Sequence, residues 1–249
     1  MVQIYKIAIS LTAVAFLFSG VAYPDTSKIK VKGKLTKSKI QQKRLKINPM
    51  TDAEGAWIAN METDVYRIGT FENLTLGYSS HNGWDFSLSL LNTQVLGSNN
   101  HFQGDTFLNI AKTFEINDDY AITLGTQNGV ALVNARPQLW FNFSFLDNRY
   151  DLTPWLMLHV GPYLANAAIT GTSLQVGFLS GTEITFIQNK LSLQMDYISG
   201  HHALSGANVN LLYNLTPRCQ IYLGVLVPEQ NSGNEFAGVI GFNFSTHNL

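Results

Sequence analysis

Cysteine is nearly absent. Cys219 is the only one among 249 residues, so no disulfide within the chain can staple a small core. It reads as a small strand residue rather than a reactive thiol. Charge is scarce too: Asp, Glu, Lys and Arg make up 13% of the chain, about half of the roughly 25% of an average soluble domain. A soluble β-sandwich or lipocalin-like barrel should carry more Lys and Glu on its outer face. Beyond the first turns of the chain there is no long apolar run, and the mean hydropathy is +0.03, which excludes a bundle of membrane-spanning helices. A Gly-rich phosphate loop, a zinc-ligand spacing and a heptad repeat are all lacking, so the sequence implies no cofactor and no metal.

What charge there is divides unevenly. The net value of −1 hides nine bases between Lys28 and Lys46. From Thr51 onward six bases face 16 acids, a balance of 6 − 16 = −10. The basic stretch sits in residues 23–55, where Lys recurs every two or three residues among Ser, Thr and Gln, and Asn48-Pro49 breaks it off. Such a segment buries too little to fold alone. It reads as a flexible periplasmic linker, with an acidic or phosphate-bearing partner as the sharper expectation.

Ahead of it, Met1–Ala22 has the pattern of a secretory signal peptide. Lys6 supplies the positive region, Ile7–Phe18 the apolar core, and Gly20-Val21-Ala22 a small-residue cleavage site. Export argues against nucleic acid as a partner of the basic arm.

From about Ala56 the chain reads as strands. The clearest stretch is Glu72–Leu91. Leu74, Leu76 and Tyr78 alternate with Asn73, Thr75 and Gly77; after His81-Asn82-Gly83, Trp84, Phe86, Leu88 and Leu90 alternate with Asp85, Ser87 and Ser89. Successive side chains of a strand point to opposite faces, and Asn-Gly between two alternating runs is a hairpin signal. The polar faces hold no core filler. Closed into a barrel, such strands are apolar outside and polar inside, which suits a barrel solvated by lipid. The pattern predicts further strands over 104–116, 119–127, 137–146, 153–161, 172–187, 190–199, 207–214, 218–228 and 235–244, with 56–70 as a poorly alternating first strand. That makes twelve. Short turns near 82, 118, 148, 188 and 216 alternate with longer Gly-, Asn- and Ser-rich connections at 95–103, 128–136, 162–171, 200–206 and 229–234, as tight periplasmic turns alternate with outer loops.

The expected lipid face includes Leu139, Phe141, Phe143 and Phe145 on the sixth strand, with Leu158, Val176, Leu193, Leu211, Leu223 and Phe242 on later ones. Lys112 also falls on that face, so it either snorkels at an interface or marks a bulge. Aromatics beside the short turns (Tyr78, Trp84, Phe114, Tyr120, Phe145, Phe186, Tyr213 and Phe244) read as an interfacial belt. The expected lumen carries Asp85, Gln138, Asn142, His159, Glu183, Gln194 and Asp196. Carboxylates on that face favour cations.

The signal pattern, the alternating hairpins and the aromatic-rich last strand Phe236–Phe244 (FAGVIGFNF) resemble Gram-negative outer-membrane β-barrel proteins of the porin-like class. The terminal strand departs from that pattern because Ser245–Leu249 follow Phe244. The resemblance implies an all-β, transmembrane, up-and-down barrel over 56–249, located in the cell outer membrane. It implies contact with outer-membrane lipids and with the barrel-assembly machinery that reads such a strand. The expected function is a passive pore or small-solute uptake channel, without enzymatic activity. The alternatives are a barrel enzyme acting on lipid or a surface polymer, and a filled structural barrel. For the enzyme the only candidates are the loop residues His201, His202 and Ser205. A His beside a Ser could form a nucleophile–base pair, but no third member is in sight.

Overall fold

The computed structural model describes residues 55–97, 103–133, 136–171, 173–202 and 204–247. The signal-like segment and the Lys28–Lys46 arm lie outside the described residues, as does the Gln138 side chain.

Twelve antiparallel strands close into one barrel. They are β1 (Ala56–Tyr66), β2 (Gly69–Ser79), β3 (Trp84–Gly97), β4 (Gln103–Asn117), β5 (Tyr120–Val133), β6 (Arg136–Thr153), β7 (Leu156–Ala165), β8 (Gln175–Ile187), β9 (Leu191–Ile198), β10 (Gly206–Thr216), β11 (Cys219–Pro228) and β12 (Ala237–Ser245). A four-residue helix, α1 (Ala167–Thr170), sits between β7 and β8. Every strand pairs with its sequence neighbours, and β12 pairs with β1. The first expected strand is therefore real and closes the sheet. Closure leaves no strand edge unpaired. It also brings both ends of the barrel segment together: the Trp57 N–H donates to Thr246 Oγ1 at 3.0 Å, and the Thr246 N–H to the Trp57 carbonyl at 3.0 Å.

That end also holds the short turns. Gly83, with φ 82°, takes the left-handed position of the Asn-Gly turn, and Asn189, with φ 58°, does the same before β9. The opposite end carries the longer connections 166–174, 199–205 and 229–236, together with a tight turn at Arg67-Ile68.

The outer surface is apolar, as the alternation predicts. Leu76, Leu88, Val176 and Leu223 are each at least 55% exposed, a surface suited to lipid and not to water. Lys112 shares it, paired with Trp84 and Leu124 without a register shift. Its Nζ donates to the Asn82 carbonyl in the turn and lies 5.5 Å from the Trp84 ring and 5.6 Å from the Phe114 ring. The ammonium thus snorkels to the short-turn rim and rests on aromatic faces. Tyr120 and Tyr150, stacked at 4.7 Å, continue that rim.

One strand reverses the sequence reading. β6 runs 18 residues, straight through the turn expected at Asp147-Asn148-Arg149, and turns at Pro154-Trp155 instead. Likewise β5 extends to Val133, so the long connection expected at 128–136 shrinks to two residues. Along the second half of β6, Leu146, Asn148, Tyr150 and Leu152 face out, while Asp147, Arg149 and Asp151 face in. This phase places Phe141, Phe143 and Phe145 inside and Asn142 and Ser144 outside. Cross-strand pairs share a face, and the pairings agree: Asn142 lies opposite Asn128, which lies opposite the exposed Leu108. The expectations of an inward Asn142, a lipid-facing Leu139, Phe141 and Phe143, and an interfacial Phe145 are therefore corrected. The physical reason is mutual satisfaction on both sides. Outside, Asn142 Nδ2 donates to Asn128 Oδ1 at 2.8 Å and Thr126 bonds Ser144 at 3.0 Å, so the polar groups answer one another. Inside, glycines make space for the rings: a Cβ on Gly125 would lie 2.3 Å from the Phe145 ring.

Candidate functional site

The inner face has two walls. One is built by β1, β2, β11 and β12. Alternation along β1 turns Asn60, Glu62 and Asp64 inward, beside Asn73 of β2 and Asn243 of β12. Asn73 Nδ2 donates to Glu62 Oε1 at 3.0 Å and to Asp64 Oδ2 at 2.7 Å. The Tyr222 hydroxyl donates to Glu62 Oε2 at 2.9 Å and accepts from Asn60 Nδ2 at 2.9 Å. Tyr222 lies flat over Gly241, where a Cβ would stand 2.1 Å from its ring. The chain of contacts runs on through Asn60–Asn243 and Asn243–Gln220.

The opposite wall is mixed. Nearest the short turns, His159 of β7 sits between two carboxylates. Its Nδ1 is 3.1 Å from Asp147 Oδ1 and its Nε2 is 2.9 Å from Asp196 Oδ1. A carboxylate only accepts, and only an imidazolium donates from both nitrogens, so the arrangement fits a cationic ring shared by two acids. Gly181 of β8 makes the bridge possible, since a Cβ there would fall 2.2 Å from His159 Nε2. Gln194 Nε2 holds the second oxygen of Asp196 at 2.7 Å, and Arg149 faces Asp151 at 3.7 Å.

Toward the loop end this wall becomes aromatic. Phe107 and Phe141 stack at 5.4 Å, and Phe143 and Tyr163 at 4.9 Å. Ile169 of α1 buries itself on Phe143, Tyr163 and Ala165. Asn166 caps α1 through its side chain, and its Nδ2 and backbone N–H tie the segment to the carbonyls of Trp140 and Asn142, at 2.8 and 3.0 Å. The β7–β8 connection therefore folds inward over the rings.

The loop candidates meet at the same place, in roles unlike those expected. His202 is 2% exposed. Its Nδ1 accepts from the Leu204 N–H at 3.2 Å, and its Nε2 lies 2.8 Å from the Tyr163 hydroxyl, which itself donates to the Ser199 carbonyl. These contacts select a neutral ring protonated at Nε2. Burial first, and the neighbouring His201 second, hold it below the ordinary histidine range. The Ser205 hydroxyl accepts from the His202 backbone N–H at 3.1 Å and meets the Ser199 carbonyl at 3.4 Å. With both ring nitrogens engaged elsewhere, His202 and Ser205 form a loop latch and not a nucleophile–base pair. His201 Nδ1 lies 3.0 Å from the Gln230 carbonyl in the neighbouring loop.

Of the residues expected in the lumen, Asp85, His159, Glu183, Gln194 and Asp196 face inward. Asp85 is held by the Ser79 hydroxyl, and Glu183 pairs laterally with Met157 and Gln194. Sequence reasoning missed Glu62, Asp64, Arg149 and Tyr222. The signal was there in Asn60-x-Glu62-x-Asp64, but Ala59 and Thr63 on the other face are too small or polar to mark it as a membrane strand. Between the walls, at the loop end, lies a cavity of about 610 Å³ lined by residues that include Asp64, Tyr66, Phe71, Asp196, Ile198, Asn208 and Leu226. Among the described residues no three His, Cys, Asp or Glu side chains converge as metal ligands.

No protein-family model matches the chain, and no curated protein matches it. Solved structures do. The chain is similar to the KdgM porin, with a TM-score of 0.55 and 14% identity over 77% of this chain and 99% of that one. It is similar to the KdgM porin in complex with disordered oligogalacturonate, with a TM-score of 0.54 and 16% identity over 77% and 99%. With the NanC porin the TM-score is 0.52 and the identity 10%, over 78% of this chain and the whole of that one. At such identities the likeness is one of fold: residues from β1 to β12 build the closed antiparallel barrel of these porins.

Proposed function

We propose that the chain forms a passive outer-membrane pore for small solutes, with a preference for cations. The observation that carries the second half is the sign of the inner face. Among the described residues, inward register positions hold Glu62, Asp64, Asp85, Asp105, Glu115, Asp147, Asp151, Glu183 and Asp196, against Arg149 and His159. The two bases are engaged with Asp147, Asp196 and Asp151, which leaves Glu62, Asp64, Asp85, Asp105 and Glu183 to set the field. A narrow low-dielectric passage concentrates that field. A KdgM structure holds oligogalacturonate, a polyanion; the lumen of this chain is itself negative and favours solutes of positive charge. The signal-like Met1–Ala22 supports export, and the apolar outer surface supports residence among outer-membrane lipids after insertion by the barrel-assembly machinery. The Lys28–Lys46 arm then has acidic or phosphate-bearing groups at the membrane surface within its reach.

The test is current through refolded protein in planar bilayers under a KCl gradient. Discrete steps with a cation-selective reversal potential are expected, and selectivity should weaken in Asp85→Asn/Glu183→Gln. Anion selectivity in a chain starting at Thr51 would refute the preference. One observation favours a second reading, that of a filled structural barrel: Ile169 and the rings around Phe143 occupy part of the lumen. Twelve strands lie between barrels that side chains fill and barrels that stay open, and a silent bilayer would decide for the filled one.

A further inference from the structure

We infer that the loop-end cavity is a binding site for an organic primary ammonium that carries an apolar or ring-shaped body. The inference rests on reading this lumen as a solute path.

The argument begins with hydrogen-bond valence. Asp64 lines the cavity and is 3% exposed. Its Oδ2 accepts from Asn73, but its Oδ1 has no partner among the described residues. Across the cavity, Asn208 of β10 lies opposite Asp196 of β9, and Asn208 Oδ1 is buried and unpartnered too. Buried polar atoms are nearly always satisfied, so an unmet acceptor on each side of the cavity calls for a donor. Asp196 adds negative charge but no open valence, since both its oxygens are taken by His159 and Gln194. The site therefore asks for a donor-rich, acceptor-free group with positive charge. An alkylammonium is that group, with three N–H donors and no lone pair. A bare metal ion fits less well, because among the described residues no third ligand of the metal-binding type joins Asp64 and Glu62.

The rest of the wall selects the body behind the ammonium. Tyr66 and Phe71 meet edge to face at 5.5 Å and 90°, and Ile198 and Leu226 complete the apolar side. All four lie on the inward register. Glu235, at the rim, is paired with Arg67 at 3.5 Å and so does not compete for the ligand. The volume of about 610 Å³ falls in the ordinary range for small-molecule sites, about 300–1,000 Å³. A carboxylate at one end of an aromatic-lined cavity of that size matches a ring with an aminoalkyl arm.

Calorimetric titration of the full chain in detergent micelles tests this with phenethylammonium, and with 2-phenylethanol as the uncharged counterpart. The expected result is saturable binding of the amine, none of the alcohol, and at least a tenfold loss of affinity in Asp64→Asn. Asn208→Asp adds a second carboxylate and should tighten binding severalfold, which keeps the test alive if Asp64→Asn fails to fold. Folding of each variant is read from its heat-modifiable mobility on gels. Equal binding of amine and alcohol overturns the inference, as does unchanged affinity in folded Asp64→Asn, or weaker binding in folded Asn208→Asp. Heats of binding do not depend on conduction. A silent bilayer with intact amine binding would refute only the pore, and current steps without amine binding would refute only the site.

Discussion

Replacing Ser144 with Arg separates the two possible faces of β6. Ser144 lies six positions from Tyr150, which stacks with Tyr120 at the short-turn rim. At about 3.3 Å per residue and a tilt of about 40°, six residues climb about 15 Å, close to the middle of an apolar band about 25 Å tall. An outward Arg at that depth costs roughly 2–4 kcal/mol, about a 30- to 900-fold shift in the folded-to-unfolded ratio. Ser87→Arg is the matched control. Ser87 faces inward between Gly77 and Asn109, where a polar lumen accepts charge. The assay is urea unfolding in lipid vesicles, followed by the heat-modifiable gel shift and by tryptophan fluorescence. Ser144→Arg should lower the midpoint strongly, and Ser87→Arg only slightly. Ser144→Leu should lose no more than the bond to Thr126, about 1 kcal/mol, less whatever the new lipid contact contributes. If Ser144→Arg unfolds no earlier than Ser87→Arg, Ser144 faces the lumen and the inward placement of Phe143 fails with it.

Two further outcomes follow from contacts described above. Gly241→Val drives Tyr222 off its seat and breaks its bonds to Glu62 and Asn60, a loss of about 2–4 kcal/mol read as a lower urea midpoint; adding Tyr222→Ala to Gly241→Val should recover part of it, and a Gly241→Val variant as stable as the parent would refute the contact. The neutral His202 ring stabilises its loop fully above the ordinary histidine pKa of about 6.5, and that contribution is lost as pH falls from there toward the lowered folded value, so amide protection of Leu204 should drop between pH 7.5 and 5 in the parent and in His201→Gln, but stay flat in His202→Gln.

The architecture was legible because a lipid-solvated barrel writes its two faces into every strand. Apart from the poorly alternating β1 and the misread β6, the strands whose faces alternation named expose the expected side, and the Asn82-Gly83 turn forms where its dipeptide demands a left-handed residue. β6 was misread for an identifiable reason. Three phenylalanines at alternate positions look like a lipid face, and Asp-Asn-Arg looks like a turn. Yet Leu146, Asn148, Tyr150 and Leu152 continue the alternation through that supposed turn, with charges on the other side. Extending their phase backward would have put the rings inside. Sequence alone could not show that Gly125 and Gly129 of β5 stand laterally beside Phe145 and Phe141, because lateral neighbours depend on register, and register depends on where the turn lies. The same limit hid the loop-end cavity. Asp64, Asp196 and Asn208 come from strands at opposite ends of the chain, and only the closure of β1 on β12 brings them round one space.

The inward glycines bear on how open this lumen is. Gly125, Gly177, Gly181 and Gly241 each stand where a Cβ would strike an inward side chain at 2.1 to 2.5 Å. A barrel whose interior were simply packed could place the bulk on either strand of each pair, with medium-sized residues on both. Here a large ring or imidazole on one strand lies over a bare backbone on the next, so the rings lie along the wall. Flattened rings take little from the cross-section, and they present planar faces or hydroxyls at fixed places. This favours a narrow but continuous path over a solid core. The side chains that do reach off the wall gather at the loop end, where Ile169 and the His202 latch pack on Tyr163, next to the cavity that Asp64 lines.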